Sequence, residues 1–171
     1  MPLQRIDPTR PSTATTRALD KFGRSRVGQF IAKRIASKTD PWLTRMTNGR
    51  VSWGMFNVPS ATLTTTGAKS RLPRVAQIAY FHDGDDVIVI ASNYGGDRHP
   101  QWYHNLVAHP ECDLGGETFR ATEVTDPSEY ARLYGLAERY YAGFADYKAM
   151  TALVGRKIPV LRLSPQTPDS A

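Results

Sequence analysis

The chain has 171 residues, 40% of them hydrophobic, so it is long enough to bury one core and too short to need a second. No run of about 18 consecutive apolar residues is present, and the charges near the N-terminus are not followed by the apolar stretch of a signal peptide, which predicts a cytoplasmic protein. A single cysteine, Cys112, allows no intramolecular disulfide and no second thiol for a metal site.

Positive charge is concentrated in the N-terminal third of the chain. The formal net charge is +6, yet residues 1–60 carry eleven Lys or Arg against three Asp, and the remainder is slightly acidic. A basic segment of this kind suits nucleic acid, an anionic membrane surface or an acidic ligand, and it is often only a solvated surface. Composition alone does not separate these four possibilities.

The N-terminal region divides into a tail and a helical segment. Residues 1–16 are rich in Pro, Thr and Ser, which predicts a flexible tail. Residues 17–49 predict a basic helical segment, because over residues 17–38 apolar side chains recur at helical spacing with basic residues on the other faces. This amphipathic helix suits either a cover for the core or peripheral contact with a membrane. A short second helix is expected over residues 41–46, ended by Asn48-Gly49.

Beyond residue 59 the spacing of apolar residues changes from about 3.6 to two, or to continuous β-branched runs, which predicts strands. Glycine-containing polar stretches separate several of these runs, as is typical of hairpin turns. Asp126-Pro127-Ser128-Glu129 has the form of a capping box at the start of a helix. Strands are expected over residues 61–66, 74–81, 87–91, 112–114, 118–124 and 158–163, and helices over residues 99–108, 127–141 and 144–154.

The predicted fold is α+β, with one barrel domain over residues 50–165 and a polar tail at 166–171. Six strands joined mostly by hairpins, with helices inserted between them, favour a closed antiparallel barrel because closure leaves no unpaired edge. Strands and helices do not alternate regularly, which argues against a dinucleotide-binding fold.

Two polar segments are candidates for binding an anion. TTTGAKSRLPR, residues 64–74, puts Lys69, Arg71 and Arg74 into a hairpin loop without an acid, and Gly67 permits an anion-binding backbone turn. The loop is equally consistent with a solvated turn that keeps the hairpin soluble. In ASNYGGDRHPQWYHNL, residues 91–106, a strand ends, a glycine pair allows close approach, and a helix start supplies free amides.

Together these two segments, the preceding DGDDVIVI strand and the later YYAGFADY resemble the deazaflavin-dependent nitroreductase family over roughly residues 50–165. The resemblance implies a split β-barrel, related in shape to FMN-binding enzymes, that binds reduced coenzyme F420 in preference to FMN. It also implies hydride transfer from the deazaflavin to a small electrophilic acceptor. In such proteins the first loop binds the coenzyme's phosphate and oligoglutamate tail, which gives the basic loop a ligand.

The resemblance also assigns roles to individual residues. Lys69, Ser70 and Arg74 match the tail-binding loop, and Ser92 matches a hydroxyl near the deazaflavin ring. Ser92, Tyr141 and Tyr147 are the expected catalytic hydroxyls, and Phe144 lines the expected acceptor pocket with the two tyrosines. The full expected coenzyme-binding set is Gly67, Lys69, Ser70, Arg71, Arg74, Ala91, Ser92, Asn93, Tyr94, Gly95, Arg98, Pro100, Trp102 and Tyr103.

Two departures from the family pattern concern the coenzyme tail. Ala68 stands where many members have Arg, and Asn93-Tyr94 replaces a common Lys with one extra residue. Two tail-contacting charges are therefore missing, and Arg71 and Arg98 are the candidates to compensate for them.

The expected function is an F420H2-dependent reductase acting on a quinone, an activated alkene or a nitro compound, and the acceptor could be a membrane quinone. The alternative is a non-catalytic protein that sequesters a deazaflavin, a flavin or a lipid. Nucleic-acid binding is disfavoured because the basic N-terminal arm has no interleaved aromatic motif. No metal is expected, since His99, His104 and His109 recur every five residues and so lie on different helix faces. A monomer and a homodimer both remain open.

Overall fold

The computed structural model describes residues 3–9 and 60–166. The predicted helical segment 17–49 therefore lies outside the described residues, as does nearly all of the predicted tail at 166–171. The elements in chain order are β1 (Ser60–Thr66), β2 (Pro73–Asp83), β3 (Asp86–Ile90), a 3-10 turn (Asn93–Gly95), α1 (Gln101–Ala108), β4 (Glu111–Leu114), β5 (Glu117–Glu123), α2 (Pro127–Tyr140), α3 (Gly143–Ala152) and β6 (Val160–Pro165).

Every strand and helix predicted beyond residue 59 is present, with ends shifted by at most two residues. The start of α2 follows the predicted capping sequence, because the Asp126 side chain accepts a hydrogen bond of 2.8 Å from the Glu129 amide and Pro127 opens the helix. None of the helices among the described residues is long and apolar enough to cross a membrane.

The six strands form a closed antiparallel barrel in the order β1-β2-β3-β6-β5-β4. Hairpins pair β1 with β2, β2 with β3 and β4 with β5. The long-range pairs of β1 with β4 and of β6 with β3 and β5 complete the closure. The predicted α+β barrel is therefore confirmed.

Apolar side chains fill the barrel. Leu63 on β1 lies opposite Leu114 on β4, and both are fully buried. Strand β3 is buried along its whole apolar run from Val87 to Ile90, and α2 packs against both β3 and β6. A barrel of this size is filled by its own side chains. A ligand must therefore bind outside the barrel wall.

The N-terminal residues 3–9 pack against the barrel, so the prediction of a flexible tail over residues 1–16 is wrong for this part. The Ile6 carbonyl accepts a hydrogen bond of 2.8 Å from the His82 amide, and the Ile6 amide donates to His82 Nδ1 at 3.1 Å. Among the described residues, the register between β1 and β2 ends at the pair Ser60 and Ala79, and Ile6 contacts β2 beyond that end at His82. The composition of residues 1–16 does not reveal that the backbone of Ile6 has this hydrogen-bonding partner.

We predict that Ile6→Ala lowers the free energy of unfolding by about 2 kcal/mol, because Ile6 is only 7% exposed and removal of its side chain would leave a cavity. Thermal unfolding measures the change. Gln4→Ala is the matched control, since the Gln4 side chain is exposed and only its carbonyl is used, as acceptor from the Tyr80 hydroxyl. Equal melting temperatures for the Ile6 variant and the wild type would show that this segment does not stabilise the barrel.

Candidate functional site

Two cavities lie outside the barrel wall and meet at Trp102 on α1. The larger, which we call the basic groove, has a volume of about 1040 Å³ and runs between the β1–β2 loop and α1. The smaller, which we call the aromatic cavity, has a volume of about 110 Å³. The basic groove is lined by Thr65, Gly67, Ala68, Lys69, Ser70, Pro73, Arg74, Val75, Ala76, Gln101, Trp102, His104 and Asn105.

The basic groove carries Lys69 and Arg74 and has no Asp or Glu in its lining. Lys69 lies on the loop that joins β1 to β2, and Arg74 follows it at the start of β2. This loop is tightly closed, because the Gly67 amide donates to the Leu72 carbonyl at 2.9 Å. A Cβ at Gly67 would overlap the Ser70 hydroxyl and approach the Leu72 carbonyl to 3.1 Å, so glycine is needed for this closure. Cations without a neighbouring carboxylate are suited to bind phosphate or carboxylate groups.

Asn105 connects this loop to α1. It is 6% exposed, its Oδ1 accepts a hydrogen bond of 3.0 Å from the Ala68 amide, and its Nδ2 donates to Thr65 Oγ1 at 2.9 Å. Sequence reasoning missed this residue. The available signal was a polar side chain between Trp102 and Leu106 on the inward-facing side of a helix, which requires a buried hydrogen-bond partner.

The aromatic cavity has no Lys, Arg, Asp or Glu in its lining. One wall comes from three aromatic residues at the end of α2 and along α3. The ring centroids of Tyr141 and Phe144 are 5.6 Å apart, those of Phe144 and Tyr147 are 6.1 Å apart, and those of Tyr141 and Tyr147 are 6.3 Å apart. The lining residues are Gln77, Ile78, Ala79, Ile90, Ser92, Asn93, Tyr94, Pro100, Trp102, Tyr141, Phe144 and Tyr147.

The Tyr147 hydroxyl is held in its protonated form. Burial raises its pKa, and the charge and hydrogen bond of the Tyr141 side chain raise it further. A tyrosine with a raised pKa remains an O–H donor throughout the physiological range. The aromatic cavity thus presents a hydrogen-bond donor within uncharged walls.

The turn after β3 is conformationally strained where it lines the aromatic cavity. Asn93 and Tyr94 have φ values of 49° and 54°, which are uncommon for residues other than glycine. Gly95 packs closely on α3, since a Cβ there would lie 3.0 Å from Met150 Sδ. Asn93 also fixes the chain that follows, because its Nδ2 donates to the Arg98 carbonyl at 2.9 Å.

Most of the residues expected at the site lie on these two cavities. Arg71, Ala91 and Gly95 line neither, although each lies next to a residue that does. The groove holds Gly67, Lys69, Ser70 and Arg74, the aromatic cavity holds Ser92, Asn93, Tyr94, Pro100, Tyr141, Phe144 and Tyr147, and Trp102 borders both.

Arg98 and Tyr103 are placed elsewhere. Both line a third cavity of about 570 Å³ on another side of α1. The Tyr103 hydroxyl donates to Glu123 Oε2 at 2.9 Å, and burial, followed by this carboxylate, raises the pKa of Tyr103 to about 12. The structure therefore does not place Tyr103 in the same cavities as Trp102, because adjacent residues on a helix point in directions about 100° apart.

Sequence reasoning also missed the wall that β2 contributes to the aromatic cavity, which consists of Gln77, Ile78 and Ala79. The polar Gln77 within an apolar strand was the available signal. Among the described residues, no group of three or more His, Cys, Asp or Glu could hold a metal ion. Cys112 is buried, and burial raises the pKa of its thiol to about 12, so this thiol is not a nucleophile at neutral pH.

Comparison with known proteins identifies the family. The sequence profile described as F420H(2)-dependent quinone reductase matches residues 36–165. The chain belongs to the F420H2-dependent quinone reductase family. The F420H(2)-dependent quinone reductase Rv1261c of Mycobacterium tuberculosis is 37% identical to this chain over 128 residues. The matched region covers 70% of this chain and 83% of that protein.

Solved structures agree with the family. A structure described as an F420-H2 dependent reductase, FDR-A, is 30% identical, with a TM-score of 0.53 over 62% of this chain and 94% of that one. A second, described as a domain-swapped dimer, is 26% identical, with a TM-score of 0.55 over 75% of this chain and 98% of that one. The resemblance inferred from the sequence is confirmed. This quinone reductase family member is an oxidoreductase whose coenzyme is F420, and the non-catalytic alternative is disfavoured.

We predict that Gly143→Ala lowers kcat/KM for quinone reduction about 10- to 100-fold, because a new Cβ would overlap the Tyr141 ring and displace it. The matched control is Gly135→Ala on α2, where a Cβ meets nothing within 4 Å and raises helix propensity. The control should be slightly more stable and fully active. Normal kinetics in the Gly143 variant would mean that the position of the Tyr141 ring is unimportant.

Proposed function

We propose that the coenzyme spans the basic groove and the aromatic cavity, and that the acceptor is a quinone reduced in the aromatic cavity. The observation that carries this proposal is the separation of charge across Trp102. Two cations without a carboxylate line one side, and uncharged aromatic and hydroxyl groups line the other. A polyanionic tail and an electroneutral ring system need these two environments next to each other.

The residues present fit coenzyme F420. Lys69 and Arg74 would bind the phosphate or carboxylate groups of its tail, with Ser70 beside them as a further donor, since Arg74 Nη2 lies 3.3 Å from Ser70 Oγ. Sites for drug-sized ligands have volumes of roughly 300–1,000 Å³, so the aromatic cavity of about 110 Å³ is too small for a tricyclic ring alone. The ring therefore requires part of the adjoining groove beside Trp102.

When bound, the reduced deazaflavin supplies a hydride. The chain's own residues orient the acceptor and stabilise the charge that develops on its oxygen. Four residues that line the aromatic cavity carry a hydroxyl, Tyr94 among them, and we assign the donors to that oxygen as Ser92, Tyr141 and Tyr147. The aromatic walls exclude water. The raised pKa of Tyr147 keeps its proton available for the hydrogen bond and makes full transfer of that proton unfavourable.

Membrane contact and self-association extend this proposal. A lipid-soluble quinone would be reached at the cytoplasmic face of a membrane, and the basic segment over residues 17–38 supports peripheral binding there. The relative described as a domain-swapped dimer supports a homodimer. Sedimentation with anionic vesicles tests the first proposal, and analytical ultracentrifugation tests the second.

The defining experiment is a titration of the full chain with reduced F420 and with FMN, followed by oxidation of the reduced F420 in the presence of menadione. We expect tighter binding of F420, together with turnover that depends on the protein and on the quinone. Equal or tighter binding of FMN, or no quinone-dependent oxidation, would contradict the proposal.

For the tail contacts, we predict that Lys69→Ala and Arg74→Ala each weaken F420 binding by about 1 to 2 kcal/mol, because each removes a charge-assisted hydrogen bond at an exposed site. Affinity should also depend less on salt concentration. Arg71→Ala is the matched control, since it removes the same charge from the same loop but does not line the groove. Equal weakening of binding in all three variants would contradict direct contacts by Lys69 and Arg74, because it would show that only the total positive charge of the segment contributes.

For the acceptor contacts, we predict that Tyr147→Phe and Tyr141→Phe each lower kcat/KM for menadione about 10- to 1000-fold, by comparison with the loss of one oxyanion donor. The Kd for F420 should barely change. Tyr80→Phe is the matched control, since it deletes a hydroxyl that donates to the Gln4 carbonyl away from the cavity. Full activity in a triple variant that also carries Ser92→Ala would remove these hydroxyls from the mechanism.

A further inference from the structure

Arg156, in the loop between α3 and β6, contacts the back of the turn that follows β3. Its Nη1 donates to the Ala91 carbonyl at 3.3 Å, and its Nη2 donates to the Ser92 carbonyl. Its own amide donates to the Thr151 carbonyl at 2.9 Å, which fixes the loop on the end of α3. One planar guanidinium thus binds two consecutive carbonyls, a geometry that a lysine ammonium does not reproduce.

The segment held in this way is the strained part of the aromatic cavity. Ala91 is fully buried behind the cavity, and Ser92 is the first of three consecutive lining residues. Asn93 and Tyr94 then adopt left-handed backbone angles, which are unfavourable for these residues and persist only where neighbouring structure holds them. The two carbonyl bonds from Arg156 are interactions that can hold this turn.

His99 completes the contact, because Arg156 Nη1 lies 3.0 Å from His99 Nδ1. A guanidinium can only donate, so this contact is a hydrogen bond when His99 is neutral with its proton on Nε2, and a repulsion when both ring nitrogens are protonated. Burial is the largest of the causes that lower the pKa of His99; the neighbouring Arg156 and His104 lower it further, and Glu123 opposes them. The Tyr103 ring lies against His99, with centroids 4.9 Å apart. Burial lowers the pKa of Arg156, and the charge of Asp97 opposes this effect.

We propose that Arg156 is a positioning residue that, together with neutral His99, fixes the Ala91–Ser92 backbone and so aligns the Ser92 hydroxyl in the aromatic cavity. Arg156 does not line the aromatic cavity or the basic groove; it lines the third cavity, with Arg98 and Lys157. Its effect on catalysis rests on the proposed function of the aromatic cavity, whereas its hold on the turn does not. Loss of Arg156 therefore lowers kcat while leaving the affinity of the basic groove for F420 intact.

The first test compares Arg156→Ala, Arg156→Lys and the control Lys157→Ala. The Lys157 ammonium lies over the Tyr130 ring, 4.3 Å from its centroid, and is in the same loop. Hydrogen exchange of residues 91–96, measured by mass spectrometry on the full chain, should accelerate about tenfold or more in both Arg156 variants and not in the control. The kcat for menadione should fall about 10- to 100-fold, and free guanidinium at millimolar concentration should partly restore it in Arg156→Ala only.

The second test uses pH and His99→Asn, because Asn keeps an acceptor oxygen near the place of Nδ1 and cannot be protonated. The folded pKa of His99 lies below the usual value of 6.5, so the hold is complete above that value and is lost as pH falls through the lowered pKa. In the wild type, the protection factors of residues 91–96, which correct for the intrinsic pH dependence of exchange, should fall over this acidic range, and kcat should fall with them. His99→Asn should remove both changes.

Unchanged exchange of residues 91–96 in Arg156→Lys would overturn the proposal, and this variant retains the charge if Arg156→Ala fails to fold. If kcat of His99→Asn falls at acidic pH as it does in the wild type, the role of His99 is overturned. A wild-type protein that does not oxidise reduced F420 with menadione would contradict the proposed function, while the exchange measurements would still decide whether Arg156 holds the turn.

Discussion

Closure of the six-stranded barrel determines where a ligand can bind. Each strand has a hydrogen-bonded neighbour on either side, and apolar side chains such as Leu63 and Leu114 fill the interior. The outer surface of β2, the β1–β2 loop and the turn after β3 then form a surface that α1 and α3 enclose. The basic groove and the aromatic cavity both lie on this surface, so the position of each depends on that closure.

The chemistry of the site follows from the separation of charge along this surface. Lys69 lies on a loop that Gly67 and Asn105 hold in place, and Arg74 lies at the start of β2, directly after that loop. A closed backbone thus presents both charges to the groove. Tyr147 is half-buried among other aromatic rings, which keeps its hydroxyl protonated. Trp102 borders both regions, and a molecule with an anionic tail and an uncharged ring can satisfy both at once.

Features with local causes were predictable from the sequence, and features that depend on distant partners were not. The strands, the Asp126 cap and the basic hairpin loop follow from spacing and turn residues within a few positions. The packing of Ile6 depends on its hydrogen bonds with His82 on β2, more than 70 residues away. The direction of the Tyr103 side chain depends on how α1 is rotated about its axis. The contact between Arg156 and Ser92 joins positions 64 residues apart, and no pattern near either residue indicates it.

The most direct test of the divided site is to compare F420 with its tail-less deazaflavin analogue, in the wild type and in a Lys69→Ala, Arg74→Ala double variant. Equilibrium titration gives four dissociation constants. We expect the wild type to bind F420 more tightly than the analogue, and the double variant to lose most of that difference while binding the analogue as the wild type does. Equal weakening of both ligands, or an undiminished preference for F420 in the double variant, would contradict the assignment of the tail to the basic groove.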